Sequence, residues 1–287
     1  MLDTVMSFPR IAVAPALALA AAAAALAGCA GAEAMSGPPA TGAGAPAPAP
    51  PEEQLGLHPG ESMAFEVQLG GVLVGEAQLA VGEVGVLDGR RALVVKSRAA
   101  TAGAAALVRK ISDEATTVID AETGRPISVE TNVEMGDKRT VATAAFSGTI
   151  ATVTYKRNTE AAPQTARIDF GANALHDAHT AMAQLRGWRA ATGTTKSVFV
   201  VGGRRLWRVD VKLAGEDTIG SAVGNRRAVI YEGTSYRAKR DLTVESNKPA
   251  RTFRVWLSDD ADRVPLKVSA KTELGDVVMT LTEYTRP

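Results

Sequence analysis

The sequence predicts an all-β fold made of two related halves of antiparallel, strongly curved sheet. The first observation is a period of two after residue 59, as in 65–69 and 266–274, where apolar and polar side chains alternate. One apolar face and one polar face are typical of an antiparallel sheet that covers a core on one side. The second observation is a set of four turn and strand landmarks that occurs twice.

The repeated landmarks indicate an internal duplication. Their two copies, in the same order, are Gly70-Gly71, Gly89, Pro126 and Gly136-Asp137, then Gly202-Gly203, Gly224, Pro265 and Gly275-Asp276. Glycine suits the positive φ angles of hairpin turns, and proline suits the first residue of a strand. We therefore expect β halves at 59–155 and 196–287, although turn residues shared by all meandering β proteins are an alternative. Whether the halves form one barrel or two is left open.

The segment between the halves, 156–195, is predicted to hold one short helix at about 172–187. Apolar residues there recur at helical spacing: Ala174, Leu175, Ala178, Met182 and Leu185. Asn173 is the expected N-cap, and Gly187 is the expected end of the helix.

The amino-terminal segment predicts export and lipidation. An apolar run at 11–27 follows Arg10 and ends in Leu26-Ala27-Gly28-Cys29, which resembles the lipobox of bacterial lipoproteins. We expect cleavage of 1–28 and acylation of Cys29, with an uncleaved transmembrane anchor as the alternative. By resemblance to sorting rules of Gram-negative lipoproteins, Ala30 in place of Asp implies the periplasmic face of the outer membrane.

Residues 29–58 consist mostly of Ala, Gly and Pro. Such a segment has little apolar mass to bury, and its prolines favour extended conformations. We interpret it as a tether between the lipid and the folded part, and disorder without a spacing role is the alternative.

The composition excludes several classes of function. A formal net charge of +1 argues against nucleic acid as a partner, and short pairs such as Arg204-Arg205 are expected to be solvated. The single cysteine, Cys29, excludes an intramolecular disulfide and a cysteine-based metal site. No nucleophile elbow, zincin, phosphate-loop or dinucleotide motif occurs, so we predict no catalytic residue and no cofactor, and we leave enzymatic activity uncertain.

Two pairs of residues are candidates for a site. His176 and His179 lie three apart on the predicted helix, a spacing that allows both to reach a metal, but local helix polarity is the favoured interpretation. Trp207 and Trp256 fall in predicted strands of the second half, where an aromatic residue fills the core or lines a ligand cavity.

The carboxy-terminal part resembles domain-of-unknown-function family 3108, whose members are exported bacterial envelope proteins. The residues that carry this resemblance are 253–260, 263–268 and 275–278, with weaker support at 66–75 and 176–186. The resemblance implies a mostly β envelope domain and carries over no catalytic residue.

Together these observations favour a lipid-anchored periplasmic binding module for an apolar ligand or an envelope component. The alternatives are an enzyme that acts on cell-wall or lipid material, and a structural partner in an envelope complex. An internal apolar cavity would favour ligand binding, whereas converging ionisable groups in a cleft would favour the enzyme.

Overall fold

A computed structural model describes residues 55–222, 224–272 and 275–286, and it confirms the all-β prediction. Within these residues the chain forms sixteen strands in one sheet and two helices. The predicted leader, Cys29 and most of the tether lie outside the described residues. None of the described helices combines the length and the apolar character that a bilayer-spanning helix needs.

The elements of the first half are nine strands and one short helix. They are β1 (Ser62–Leu69), β2 (Val72–Val81), β3 (Gly85–Leu87), β4 (Arg90–Thr101), α1 (Gly103–Val108), β5 (Ile111–Asp120), β6 (Pro126–Met135), β7 (Lys138–Ser147), β8 (Ile150–Arg157) and β9 (Gln164–Asp169).

The remaining elements comprise seven strands and the longer helix. They are β10 (Leu175–His176), α2 (Ala178–Gly187), β11 (Thr195–Gly202), β12 (Arg205–Ser221), β13 (Gly224–Ala238), β14 (Arg251–Ser258), β15 (Pro265–Thr272) and β16 (Gly275–Thr285).

The two halves form one continuous sheet, because β1 pairs with β16. From β11 to β16, and from β1 through β2 and β4 to β9, each strand pairs antiparallel with the next. The short β3 pairs with β4, and β10 pairs parallel with β11. The halves therefore do not fold as two separate barrels.

The topology confirms two related halves, since β11 to β16 repeat the order of β1, β2 and β4 to β7. Gly136 lies in the β6–β7 turn, and Gly275 opens β16 after the β15–β16 turn. Pro126 and Pro265 each begin the equivalent strand, and each pairs beside a register shift in the preceding strand. The repeated landmarks thus mark equivalent positions.

The curved sheet overlaps itself without forming a closed, hydrogen-bonded barrel. Val200 and Trp207 face the larger core, whereas their neighbours Val201 and Leu206 face away from it. Those two residues belong to a second core with Val153 of β8. The β6–β9 end of the sheet consequently packs across the outer surface of β11–β13, and the end strands β9 and β10 are not paired with each other.

The predicted helix at 172–187 is wrong at its start, because α2 begins at Ala178. Leu175–His176 pair with β11 instead, and Asp177 is the N-cap, whose carboxylate accepts the N–H of Thr180 over 3.1 Å. Asn173, the expected cap, lies in a turn and donates its backbone N–H to the carbonyl of Phe170.

The folded β structure extends beyond two of the predicted segment boundaries, those at 58 and 155. Leu57, inside the predicted tether, is buried in the larger core. A Cβ on Gly56 would overlap the backbone of α2, so the chain crosses this helix closely. At the other boundary, β9 (Gln164–Asp169) extends the first half into the predicted connector.

A buried ion pair joins Glu61, the residue before β1, to Arg186 in the last turn of α2. Arg186 Nη1 lies 2.6 Å from Glu61 Oε1, and Nη2 lies 2.9 Å from Oε2. The side chains are 1% and 0% exposed. Arg186 also donates to the carbonyls of Asp262 and Arg263, and the Tyr284 hydroxyl donates to Glu61. Burial and the nearby Glu61 raise the pKa of Tyr284 to about 12.

Replacing one partner of this pair should destabilise the protein strongly. We expect R186M to lower the free energy of unfolding by about 3–5 kcal/mol, because it leaves a buried carboxylate without its cation. The double variant E61L/R186M should recover most of that loss. R254M is the matched control, because the Arg254–Glu232 pair is exposed and contributes less than about 1 kcal/mol. Urea unfolding that gives equal stability for R186M and R254M would contradict this role.

Candidate ligand-binding site

An apolar cleft of about 70 Å³ lies between α2 and the inner surface of the second half. We call it the helix–sheet cleft. Its wall on the sheet comes from β11, β12 and β14, and its other wall comes from α2 and the residue that follows it. The lining side chains are Ala178, Ala181, Met182, Gln184, Leu185, Trp188, Lys196, Val198, Val200, Val209, Val211, Phe253 and Val255. Only Gln184 and Lys196 are polar, so the site suits apolar matter.

The sheet wall depends on a glycine in the middle of β13. Gly233 pairs with Phe253 of β14, and a Cβ on Gly233 would overlap the Phe253 ring. The far end of the ring therefore occupies the space that a side chain at position 233 would take. Because Gly233 leaves this space, Phe253 lines the cleft without filling it.

The helix wall is fixed at its carboxyl end by Trp188. The rings of Trp188 and Tyr231 lie 5.6 Å apart, and the Tyr231 hydroxyl donates to the Trp188 carbonyl over 3.0 Å. Burial raises the pKa of Tyr231, which keeps this donor protonated. The ammonium of Lys196 lies 5.9 Å from the centre of the Trp188 indole. These contacts orient the indole along the cleft.

The amino end of α2 is fixed to the first half by a buried chain of hydrogen bonds. Thr117 Oγ1 lies 2.6 Å from Asp177 Oδ2 and 2.7 Å from His179 Nδ1, and Ser97 Oγ lies 2.8 Å from His179 Nε2. Because a carboxylate only accepts, the Thr117 hydroxyl donates to it and accepts from Nδ1–H. Ser97 then donates to Nε2. In this assignment the imidazole is neutral, and each of the three protons is donated to one acceptor. Burial, which lowers the pKa of His179, favours the same neutral form.

Ser97, His179 and Asp177 follow each other in the order of the nucleophile, base and acid of a catalytic triad. All three side chains are buried, however. Ser97 is 6% exposed, His179 2% and Asp177 1%. A nucleophile must reach its substrate, and Ser97 faces the core. The arrangement therefore acts on the helix, by fixing its N-cap against β4 and β5.

The two candidate metal ligands do not converge. His179 uses both ring nitrogens in the chain of hydroxyls. His176 lies in β10, and its Nδ1 has no hydrogen-bond partner among the residues that the structure describes. In the same described part of the chain, no group of three or more His, Cys, Asp or Glu could hold a metal ion.

The two candidate tryptophans lie beside the cleft rather than in its lining. Trp207 faces the larger core next to Val200, and Arg237 covers its ring. Trp256 is paired with Lys267, whose ammonium lies 5.1 Å from its ring centre. The tryptophan of the cleft is Trp188. Its position directly after the expected end of the helix at Gly187 is the signal that the sequence offers for it, whereas nothing in the sequence marks Gly233.

The chain belongs to the family described as Protein of unknown function (DUF3108), whose model matches residues 64–282. No curated protein matches the chain. Among solved structures it is similar to a β-barrel-like protein of domain of unknown function DUF1849 from Brucella abortus. That likeness has a TM-score of 0.53 and 10% identity, and it covers 78% of this chain and 96% of the other. It shows a shared β-barrel-like fold.

Two lipoprotein structures are more distant. The hypothetical lipoprotein YmcC from Escherichia coli gives a TM-score of 0.30 at 10% identity, covering 82% of this chain and 89% of the other. The lipoprotein LppX from Mycobacterium tuberculosis gives a TM-score of 0.24 at 13% identity, covering 79% of this chain and 87% of the other.

The buried histidines should make stability depend on pH. Burial lowers the pKa of His176 to about 4 from its usual 6.5. The unfolded state therefore binds more protons between these values, and the contribution to stability is full above pH 6.5 and is lost as the pH falls toward 4. Between pH 7 and 5 this amounts to about 2 kcal/mol. H176L should remove that part of the slope in urea unfolding, and an unchanged slope would contradict the assignment.

Proposed function

We propose that this protein is a non-catalytic, lipid-anchored envelope module that binds an apolar ligand in the helix–sheet cleft. The observation that carries the proposal is the apolar lining of this cleft, where eleven of the thirteen lining residues are apolar. Water in such a place finds few hydrogen-bond partners, so an alkyl or aromatic group is the favoured occupant.

The size and the walls of the cleft favour a chain-like ligand. Its volume of about 70 Å³ admits a short segment of an alkyl chain. Met182 and Leu185 are half-buried side chains on α2 that can change rotamer, and methionine adapts readily to irregular apolar surfaces. A longer chain would therefore be received by movement of these side chains, with the sheet wall unchanged.

The edge of β11 supplies an entrance. β11 pairs with β12 along its whole length, but β10 covers only Phe199 and Val200 on the other side. Lys196 and Val198 are therefore at an edge that no other described strand covers, and both are half-buried lining residues. A ligand that enters between this edge and α2 passes no hydrogen-bonded ladder.

The address of the module is proposed from the sequence. Cys29 would carry the lipid, and the Ala-, Gly- and Pro-rich segment would link it to Leu57. Among the described residues, Leu57 is the first along the chain that is buried in the core. The residues after Cys29 favour the periplasmic face of the outer membrane. The partner in that case is the membrane, reached through the lipid.

A structural role in an envelope complex is a second candidate, favoured by exposed apolar side chains at one end of the sheet. Leu107 and Val108 of α1 are 90% and 80% exposed, and Val72 and Leu73 of β2 are 66% and 58% exposed. Residues of this kind occur at protein–protein contacts. The substitutions described next separate the two candidates.

Filling the cleft should abolish ligand binding without unfolding the protein. A181F places an aromatic ring in the lining, whereas A104F makes the same change at an exposed position of α1. We expect native mass spectrometry to show co-purified lipid, or a neutral naphthylamine probe to fluoresce, with wild type and A104F. A181F should lose about tenfold in affinity or more. Equal binding by all three proteins would exclude the cleft, and loss in A104F alone would favour the exposed end.

Replacing the predicted lipidated residue should release the protein from membranes. We expect C29S to appear in the soluble fraction after a high-salt wash, because the chain that remains after removal of 1–28 carries no acyl chains and lacks the buried CH₂ groups that hold the anchor. S36A, in the tether that follows Cys29, is the control and should stay with the membranes. If C29S still sediments with membranes at high salt, the alternative of an uncleaved apolar anchor is correct.

A further inference from the structure

Five arginines from four strands and a turn gather at the end of the sheet that holds the β11–β12 hairpin. We call them the arginine cluster: Arg157, Arg204, Arg205, Arg237 and Arg251. They are far apart in sequence, and only the overlap of β8 with the β11–β13 region brings Arg157 to the others. Arg204 and Arg205, expected to be solvated, are half-buried.

Two of these guanidinium groups are held by aromatic rings. Arg237 pairs with Trp207 and lies 5.6 Å from the centre of its ring. Arg204 lies 6.0 Å from the centre of the Tyr155 ring on β8. Stacking of this kind orients the planar group and leaves its N–H edge available to an acceptor. Arg204 and Arg237 are therefore oriented in part by aromatic rings, which carry no negative charge.

Among the described residues, carboxylates lie within ion-pair distance of two members of the cluster, Arg157 and Arg237. Glu160 lies 3.4 Å from Arg157, and Glu245 lies 3.5 Å from Arg237. The Arg205 side chain makes no hydrogen bond or ion pair within the described part of the chain, whereas its backbone pairs with Gly202. Burial lowers the pKa of Arg205 to about 9, and the four other arginines add to the effect. The fold thus holds a half-buried cation in a field of like charge.

We propose that the arginine cluster is a binding site for a phosphate-type anion, with Arg204 and Arg205 as its central ligands. Guanidinium groups bind the oxygens of phosphates in pairs, and an anion with two or more charges would offset the repulsion between Arg205 and the neighbouring guanidinium groups. The phosphate can belong to a soluble ion or to a lipid headgroup. This site is separate from the helix–sheet cleft, because none of its five arginines lines the cleft, and it does not depend on the proposed apolar ligand.

Inorganic pyrophosphate is the probe for the site, with binding measured by calorimetry on the full chain at low salt. We expect wild type to bind it, and R205Q and R204Q each to lose about tenfold in affinity or more. R254Q is the matched control, since Arg254 is an exposed arginine of β14 already paired with Glu232. It should bind as wild type does. Two separate variants keep the test valid if one of them folds poorly.

Vesicles distinguish the two sources of phosphate. In a C29S background, where no acyl anchor contributes, co-sedimentation with phosphatidylglycerol vesicles is compared with phosphatidylcholine vesicles. Binding to the anionic vesicles that R205Q abolishes assigns the site to a lipid headgroup, whereas pyrophosphate binding alone assigns it to a soluble anion. The proposal is overturned if wild type binds neither probe, or if R254Q loses as much affinity as R205Q. Either result leaves the A181F test of the cleft unaffected.

Discussion

The ion pair between Glu61 and Arg186 is the interaction on which the arrangement of the protein depends. Two hydrogen bonds of 2.6 and 2.9 Å join a residue just before β1 to the penultimate residue of α2. The same guanidinium holds the β14–β15 loop, and the same carboxylate accepts from Tyr284 of β16. Because both charges are fully buried, neither can exchange its partner for water. The regions around β1 and β16, the first and last strands along the chain, are thereby fixed to one helix.

A second anchor at the other end of α2 fixes the direction of the helix. His179 and Asp177 are bound through Thr117 and Ser97 to β5 and β4, which belong to the first half. The two halves share a strand order, but the polar contacts at this end of the helix come from the first half. The second half faces the helix with Val209, Phe253 and their apolar neighbours. A cleft results from this asymmetry between two related halves, and the proposed function depends on it.

The sequence predicts those features that depend on local pattern and on turn chemistry. Alternation with a period of two predicted the strands, and repeated glycines and prolines predicted the order of the halves, because turns are determined by a few adjacent residues. The helix start was misjudged since apolar spacing also fits the pairing of Leu175 with β11. The helix start is decided by the Asp177 carboxylate, which accepts the backbone N–H groups of the first turn.

Features that depend on contacts between distant residues were beyond the sequence. Glu61 and Arg186 are 125 positions apart, and neither stands out from the other charged residues. The overlap of β8 with β11–β13 has no local signal, so the sequence alone predicts a solvated surface for the arginine pair at 204–205. Trp188 directly follows the predicted helix end at Gly187, but its part in a cleft depends on Gly233 and Phe253 across the sheet.

Fluorescence quenching by a neutral lipid with brominated acyl chains is the most direct test for a ligand in the helix–sheet cleft, because bromine quenches indole fluorescence only at short range. The chain has three tryptophans, of which Trp188 lines the cleft while Trp207 and Trp256 do not. We expect saturable quenching in wild type and in W207F. In W188F, the emission of the two remaining tryptophans should not be quenched. Quenching of the same fraction in W188F, or no quenching in wild type, would contradict a ligand in the helix–sheet cleft.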